Sequence, residues 1–261
     1  MNSLKWKRRI ATFYPLPKNN PRKIILIYHA VGNGPWAISA DNFKKQIQWL
    51  DQNYKIVPLA QLLESAIHED DIQVALTFDD GYACLYDTVL PILQAKNAVA
   101  TVYINTGWMG DKAHKSSNPN LGHYPDEKFL TWDEVKKFSG YGWEIGSHGV
   151  DHIDLTKWPE NIIYQEVVKS KVIIEDKLSK PCTHFAYTFG KHNRLLRENV
   201  KKAGYGYAAA AHHIQFSVKM NKLALPRLNI ERDYSLEDFK NIIRGKWDFL
   251  GTIHRIKRYV S

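Results

Sequence analysis

The stretch Val74-Ala75-Leu76-Thr77-Phe78-Asp79-Asp80-Gly81 decides how the fold of this chain is interpreted. A run of residues typical of a buried strand ends there in two adjacent carboxylates and a glycine. Because successive side chains of a strand point to opposite faces, both carboxylates can enter one site only where the backbone turns, as Gly81 permits. Two carboxylates held close together favour a bound cation or a shared proton. Taken alone, the stretch is equally consistent with an ordinary Asp-Gly turn.

A second stretch, Gly146-Ser147-His148-Gly149-Val150-Asp151-His152, places two histidines four residues apart after a short apolar strand pattern. One helical turn brings such a pair to the same side, which suits a metal, although a polar loop with an incidental histidine pair is the plain alternative. Together, one Asp and two His form a three-ligand metal site with an open position, and the other Asp is left to act as a base. We therefore predict a metal-dependent hydrolase. The nitrogen and oxygen ligands of this predicted site favour Zn²⁺, and Co²⁺, Ni²⁺ or Mn²⁺ also fit.

Outward from these motifs, buried-strand patterns alternate with amphipathic helical patterns, without repeats or a Gly/Ser linker. This alternation predicts a mostly parallel sheet in a single α/β domain, and strand ends with polar residues favour a (β/α) barrel. We assign residues 1–22 to a basic, proline-interrupted leader and residues 23–261 to the catalytic domain. Residues 107–128 are predicted to form a long loop that covers or borders the site.

The composition limits the partners and the location. The chain has 261 residues, a formal net charge of +9 and two cysteines, with basic residues concentrated near both ends. We expect a solvated basic surface, or attraction to anionic lipids or glycans, and no nucleic-acid partner, because no nucleic-acid motif accompanies the charge. Without a signal-peptide pattern or an apolar run of about 20 residues, the expected location is cytoplasmic, with peripheral contact at the inner membrane as a further expectation.

The two motifs together resemble those of the polysaccharide deacetylase family, over most of residues 24–230. The resemblance implies a distorted (β/α) barrel in which Asp79 is the catalytic base, while Asp80, His148 and His152 bind the metal. Ile27-Tyr28-His29-Ala30-Val31 resembles the first strand of the poly-β-1,6-N-acetylglucosamine deacetylase branch, which implies that His29 is the general acid. A histidine that closes an apolar strand at a barrel rim suits that role, and His254 is the competing candidate.

A third motif, Phe185-Ala186-Tyr187-Thr188-Phe189-Gly190, resembles a family motif with two departures: Ala186 replaces an Arg and Thr188 replaces a Pro. The resemblance implies that the Phe189 backbone N–H helps to form the oxyanion hole. Because Thr188 lacks the fixed φ of proline, we expect this loop to be less preorganised than a loop with proline at this position.

Two further features bear on the site. Gly149 replaces the usual Ser or Thr after the first metal histidine. Arg227 follows an apolar strand pattern, and its guanidinium could grip Asp79 bidentately in place of the missing motif Arg; an ordinary surface salt bridge is the alternative.

Aromatic residues near the long loop are candidates for a surface that stacks on sugar rings. Trp108, Tyr124, Trp132 and Trp143 lie in this region, and the last two fit core positions better. We predict Trp108 and Tyr187 as substrate-binding residues.

The prediction for the whole chain is an enzyme that removes the N-acetyl group from an N-acetylated amino sugar and releases acetate. The substrate would be an oligosaccharide, or a nucleotide-linked or lipid-linked precursor of a surface glycan. Two alternatives remain open: hydrolysis of a non-sugar C–N amide bond, and a catalytically inactive glycan-binding module.

Overall fold

The computed structural model describes residues 3–16, 22–34, 37–66, 72–110 and 128–253. The strands are β1 (Arg22–Tyr28), β2 (Ala30–Val31), β3 (Ala37–Ile38), β4 (Lys55–Ile56), β5 (Ile72–Phe78), β6 (Thr101–Ile104), β7 (Glu144–Ser147), β8 (His184–Ala186), β9 (Tyr207–Ala209) and β10 (Leu228–Asn229). The α-helices are α1 (Ser3–Phe13), α2 (Ala40–Asn53), α3 (Leu59–Glu64), α4 (Leu90–Gln94), α5 (Trp132–Gly140), α6 (Glu160–Leu178), α7 (Arg194–Lys202) and α8 (Leu236–Ile243). None of these helices combines the length and the apolar character needed to cross a bilayer.

The main sheet is parallel, in the order β10-β1-β5-β6-β7-β8-β9, and β4 also pairs with β5. At its centre, β1 and β5 pair in register over seven residues, from Arg22 opposite Ile72 to Tyr28 opposite Phe78. Both strands are almost wholly buried, which explains their continuous apolar sequences, since helices and barrel interior cover the two faces of a parallel sheet.

The sheet closes on itself through the segment that precedes β10. Leu225 pairs with β9, since its N–H donates to the carbonyl of Ala208 and its carbonyl accepts from the N–H of Ala210, both at 2.8 Å. Three residues later, β10 pairs with β1 at the opposite edge of the sheet. Residues 225–229 therefore join the two edges, and the predicted (β/α) barrel is confirmed.

The hydrophobic core follows the two faces of the strands. Ile24, Leu26 and Tyr28 of β1 belong to the large core under the helices, whereas Ile25 belongs to a smaller cluster on the other face. Small residues from neighbouring strands, together with Tyr103, complete that second cluster: Ala75, Ala186 and Ala209. Alternation with a period of two thus separates the helix-facing layer from the inner layer.

Helix α1 lies within the segment that we assign to a basic leader, where the sequence analysis predicted no helix. Its Ala11 is only 3% exposed and belongs to the large core, against which Trp6 and Tyr14 also pack. Arg8 forms a bidentate ion pair with Asp238, with a shortest N···O distance of 2.6 Å. Residues 3–14 therefore form part of the folded body, because apolar contacts and an ion pair fix the helix to it; the division of the chain near residue 22 stays a prediction.

Candidate active site

A pocket of about 510 Å³ lies at the carboxyl ends of the barrel strands, where residues from six strand ends converge. Its lining consists of Ile27, His29, Asp79, Asp80, His148, His152, Phe189, Gly190, Ala211, Asn229, Ile230, Glu231, Arg232 and Asp233. Six of the seven residues predicted as metal-binding or catalytic line this pocket, and Arg227 is the exception. Arg227 lies directly behind Asp79.

The two carboxylates enter the pocket because the chain turns sharply after β5. Asp80 and Gly81 have φ angles of 71° and 74°, both in the left-handed region. The positive φ of Gly81 favours glycine, and a Cβ there would also make a tight contact, 3.0 Å from a methyl carbon of Ile104. The predicted turn is present and begins at Asp80, a residue type for which this conformation costs energy and often marks a functional site.

Asp80, His148 and His152 form a cluster with the geometry of a metal site. The Oδ1 atom of Asp80 lies 3.4 Å from Nε2 of His148 and 3.2 Å from Nε2 of His152. Ligand atoms of a tetrahedral Zn²⁺, bound at about 2.0–2.2 Å, lie about 3.3 Å apart, so the spacing fits. Oδ1 is buried and accepts no well-formed hydrogen bond within the described ranges. These three residues could therefore hold a divalent metal.

The charge of Asp80 also suits a metal ligand. Burial by itself would raise the pKa of this carboxyl, but the two histidines outweigh that effect and hold the pKa well below its usual value. Asp80 is thus ionised at neutral pH and presents a full negative charge to the pocket.

Backbone conformation, rather than a helical turn, brings the two histidines together. The chain between them is irregular, and Gly149 and His152 adopt left-handed φ angles of 87° and 52°. The predicted helical turn is therefore wrong, although the rings lie 5.0 Å apart as the site requires. Nδ1 of His148 lies 2.8 Å from the carbonyl oxygen of Ala186, to which it must donate, so Nε2 is the ring nitrogen that faces Asp80 in the pocket.

A buried glutamate that the sequence reading missed stabilises the metal-ligand loop. One carboxylate oxygen of Glu166, on α6, accepts the N–H groups of Val150 at 2.8 Å and Asp151 at 3.1 Å. Burial raises the pKa of Glu166, and the two N–H donors oppose this. A Cβ on Gly149 would lie 3.2 Å from the same oxygen. Glycine, where the family usually has Ser or Thr, thus suits position 149, because the backbone there is left-handed and the Glu166 carboxylate lies close.

Arg227 makes the predicted bidentate contact with Asp79. Its Nη1 and Nη2 donate to the two carboxylate oxygens at 2.6 and 2.8 Å, and the side chains are 0% and 4% exposed, which excludes a surface salt bridge. The guanidinium also donates to Thr77 and to the carbonyl of Ala210. Burial would raise the pKa of Asp79, but Arg227 and His148 lower it below its ordinary value, so Asp79 is ionised. The catalytic role of both residues stays a prediction.

The third motif forms one wall of the pocket in a strained loop. Phe189 and Gly190 have φ angles of 58° and 65°, and the Phe189 ring, 42% exposed, lies 4.8 Å from the ring of His152. The buried Thr188 hydroxyl donates a short hydrogen bond to the carbonyl of Ile153. This bond connects the loop to the chain just after His152, so Thr188 supplies a restraint of its own where the family usually has proline.

Of the two general-acid candidates, His29 lies at the pocket. His29 follows β1, is half-buried and lines the pocket. It shares this lining with both carboxylates, Asp79 and Asp80. His254 lies outside the described residues, as do Tyr124 and most of the predicted long loop.

The predicted substrate-binding aromatics do not line the pocket. Trp108 is 9% exposed and packs against Phe129 in a small cluster beside the barrel mouth, at 5.8 Å between ring centroids. Tyr187 is fully buried, and its hydroxyl donates to the carbonyl of Leu223 at 2.9 Å. An aromatic residue near a strand end can point into the core as readily as into a site. Trp143 lies in the large core and Trp132 packs against it, in agreement with the core positions predicted for both residues.

Residues 229–233 form another wall of the pocket, and the sequence analysis did not predict them as site residues. Glu231, Arg232 and Asp233 bring three charged side chains to the pocket. They directly follow β10, and their position after a barrel strand is the signal that could have identified them.

Comparison with known proteins identifies the family. The sequence model of the family described as polysaccharide deacetylase matches residues 67–208, more than half of the chain, and this protein belongs to that family. YxkH of Bacillus subtilis (strain 168), a polysaccharide deacetylase by name, is 25% identical over 191 residues, which are 71% of this chain and 63% of YxkH. The chain thus spans less than two thirds of that relative.

Two other similarities agree with this assignment. Poly-beta-1,6-N-acetyl-D-glucosamine N-deacetylase of Staphylococcus aureus (strain MRSA252) is 24% identical over 225 residues, 82% of this chain and 72% of that protein. The solved structure of the Streptococcus pyogenes deacetylase PplD in complex with acetate aligns with a TM-score of 0.71 at 22% identity, covering 86% of this chain and 99% of PplD. At that identity the structural likeness supports the fold alone.

Proposed function

We propose that this protein is a metal-dependent hydrolase that removes the N-acetyl group from an amino sugar, giving a free amine and acetate. The observation behind the proposal is the single pocket that combines two carboxylates of different surroundings. Asp80 shares a metal-sized space with His148 and His152, whereas Asp79 is held by Arg227 and lies 3.9 Å from Nε2 of His148. A family of deacetylases supplies the reaction class.

The roles of the side chains follow from their places in the pocket. A divalent metal on Asp80, His148 and His152, Zn²⁺ by its mixed N and O ligands, would polarise the acetyl carbonyl and lower the pKa of water. Asp79, ionised beside that site, accepts the proton of the attacking water. The Phe189 N–H donates to the developing oxyanion, and His29 protonates the departing nitrogen. General acid–base steps of this kind contribute roughly 10²–10⁴-fold each.

The proposed substrate contains N-acetylglucosamine, by similarity to the staphylococcal relative, whose name gives poly-β-1,6-N-acetyl-D-glucosamine. Its form would be an oligosaccharide, or a nucleotide-linked or lipid-linked glycan precursor, and Glu231, Arg232 and Asp233 would contact its polar groups from the pocket wall. A cytoplasmic location stays a prediction from the sequence, to be checked by cell fractionation.

The test combines metal content with acetate release. Wild type, His148→Ala/His152→Ala, Asp79→Asn and a control, His184→Gln, are analysed for bound metal. Each is then assayed on β-1,6-linked N-acetylglucosamine oligomers and on a nucleotide-linked N-acetyl sugar. His184 is a buried histidine outside the pocket, so its variant controls for loss of a histidine as such.

We expect about one metal per chain in wild type, in the control and in Asp79→Asn, and none in the double variant. Acetate release should require both the metal and Asp79. Metal binding with release of acetate from a non-sugar amide only would favour the alternative C–N hydrolase. Sugar binding without metal after reconstitution would refute the enzymatic proposal and favour a binding module.

A further inference from the structure

Helix α1 exposes an apolar surface to solvent. Phe13 is 82% exposed and Ile10, one turn earlier on the helix, is 41% exposed, while Leu16, just after the helix, is 51% exposed. Three of the ten exposed large hydrophobic residues in the described ranges thus fall within seven positions. A cluster of this kind differs from the isolated exposed hydrophobic residues that any protein surface carries.

Positive charge accompanies this apolar surface. Lys5 and Arg9 are exposed, lie four residues apart on the helix and have no acidic partner among the residues that the structure describes. In the sequence, the first 40 residues contain seven Lys or Arg and no acidic residue. We call the set Lys5, Arg9, Ile10, Phe13 and Leu16 the outer surface of α1.

Other side chains of the helix contact the rest of the protein. Lys7 donates to the Tyr234 hydroxyl at 3.0 Å and pairs with Glu231 at 3.4 Å. The rings of Trp6 and Tyr14 pack against Phe249 at 6.1 and 5.6 Å between centroids. Because these contacts anchor the helix, its outer surface has a fixed place on the folded body, with Phe13 82% and Ile10 41% exposed.

We propose that the outer surface of α1 docks on an anionic lipid bilayer. A helix that lies in the membrane interface needs apolar side chains that enter the headgroup region and basic side chains beside them, and this surface has both. The unbalanced positive charge of Lys5 and Arg9 complements the negative charge of anionic headgroups. Phe13, the most exposed large hydrophobic residue in the described ranges, would enter deepest.

The position of α1 connects this surface to the pocket. Lys7 contacts Glu231, which lines the pocket, so docking would place the wall formed by residues 229–233 near the membrane. This second step rests on the proposed function, because it suits a lipid-linked substrate. The docking itself does not depend on deacetylase activity.

The experiment is co-sedimentation of the full chain with vesicles, at 20 mM and 500 mM NaCl. The vesicles are pure phosphatidylcholine, or phosphatidylcholine with one third phosphatidylglycerol. The apolar variant is Ile10→Ser/Phe13→Ser and the charge variant is Lys5→Gln/Arg9→Gln. Matched controls change equally exposed residues elsewhere: Val172→Ser/Val218→Ser and Lys169→Gln/Lys219→Gln.

We expect wild type to bind the anionic vesicles at low salt and the neutral vesicles weakly. The apolar variant should lose at least tenfold in apparent affinity. The charge variant should lose about fivefold per removed charge at low salt and show little further salt dependence. The controls should stay within about twofold of wild type, and all variants should keep the thermal midpoint and the rate on a soluble substrate.

Three results would overturn the proposal. Wild type that ignores anionic vesicles at low salt has no docking surface of this kind. If the control variants lose as much affinity for anionic vesicles as the α1 variants do, the binding surface is not specific to α1. Self-association in sedimentation velocity that disappears in Ile10→Ser/Phe13→Ser identifies a second copy of the chain as the partner. Because these measurements need no catalysis, absence of acetate release would refute only the proposed function.

Discussion

The buried pair of Arg227 and Asp79 offers a stringent test, because it joins the residue that closes the barrel to the proposed catalytic base. Replacement of Arg227 by Met keeps much of the side-chain volume and removes the guanidinium. The Asp79 carboxylate, 4% exposed, would then be left without its cation. The hydrogen bonds from Arg227 to Thr77 and Ala210 would be lost as well.

The expected loss of stability is large. Removal of one partner from a buried ion pair costs about 3–5 kcal/mol of unfolding free energy. In a domain of roughly this size, each kcal/mol of lost stability lowers the thermal midpoint by about 2–4 °C. The expected loss therefore corresponds to a fall of roughly 6–20 °C in thermal midpoint. The double variant Asp79→Asn/Arg227→Met removes the uncompensated charge, and it should recover at least about 1 kcal/mol relative to additivity.

The pH dependence gives a second readout with a defined sign. In wild type the pKa of Asp79 is lowered, so its ionised form stabilises the fold above the ordinary carboxyl range, and this contribution is lost as pH falls through the lowered folded-state value. Without Arg227, burial is expected to raise that pKa. The difference in stability between wild type and Arg227→Met should therefore be greatest at neutral pH and shrink towards about pH 4.

Denaturant unfolding from pH 4 to 8, with metal content matched between variants, measures both effects. Arg194→Met serves as the control, since Arg194 forms an ion pair with Glu198 on the surface and its loss should leave the unfolding midpoint nearly unchanged. A loss below about 1 kcal/mol that does not vary with pH would refute the argument. It would mean that solvent or another cation replaces Arg227 at Asp79.

Three further predictions concern the loops and the cysteines. Glu166→Ala should lower metal affinity about 10–100-fold in a chelator competition titration, and Glu166→Gln should lower it less, because its amide oxygen can still accept. Thr188→Val removes the hydroxyl that donates to Ile153 at nearly constant volume; it should cost about 1 kcal/mol in denaturant unfolding and reduce kcat without loss of metal. Burial raises the pKa of the Cys182 thiol to about 12, so at pH 8 mass spectrometry should find only Cys84 labelled until the protein unfolds.

Each of these predictions has a contrary outcome. Equal metal affinity in wild type and Glu166→Ala would show that the metal-ligand loop keeps its shape without the carboxylate. Unchanged stability and kcat in Thr188→Val would show that the loop needs no restraint from this hydroxyl. Rapid labelling of Cys182 in the folded protein would show that the segment before β8 opens readily.

Much of the fold and part of the site could be predicted from local sequence. Strands β1 and β5 contain continuous apolar runs because a parallel sheet is covered on both faces, and this pattern needs no knowledge of the partner strands. Asp79-Asp80-Gly81 directly follows such a run, His148 directly follows the short strand β7, and parallel strands bring their carboxyl ends to one side. The family resemblance rests on these same short segments.

For other residues, the local sequence leaves the position or the backbone conformation open. Trp108 and Tyr187 lie near strand ends, where a rotation of the side chain decides between core and pocket, and residue type does not settle that choice. The histidine pair was correctly selected by its spacing, yet left-handed residues at Gly149 and His152 produce the geometry, and a spacing of four does not distinguish them from a helical turn.

The sequence by itself determined which residue types stand at the strand ends, and therefore the reaction class that they suit. Only the tertiary structure decided that Glu166 supports the loop 16 residues before it and that Arg227 meets Asp79 across 148 positions in a buried pair. It also decided that α1 packs on the barrel with an apolar side outward. The physical reason is that burial and pairing depend on elements distant in the chain, whereas strand formation and turn conformation depend on neighbouring residues.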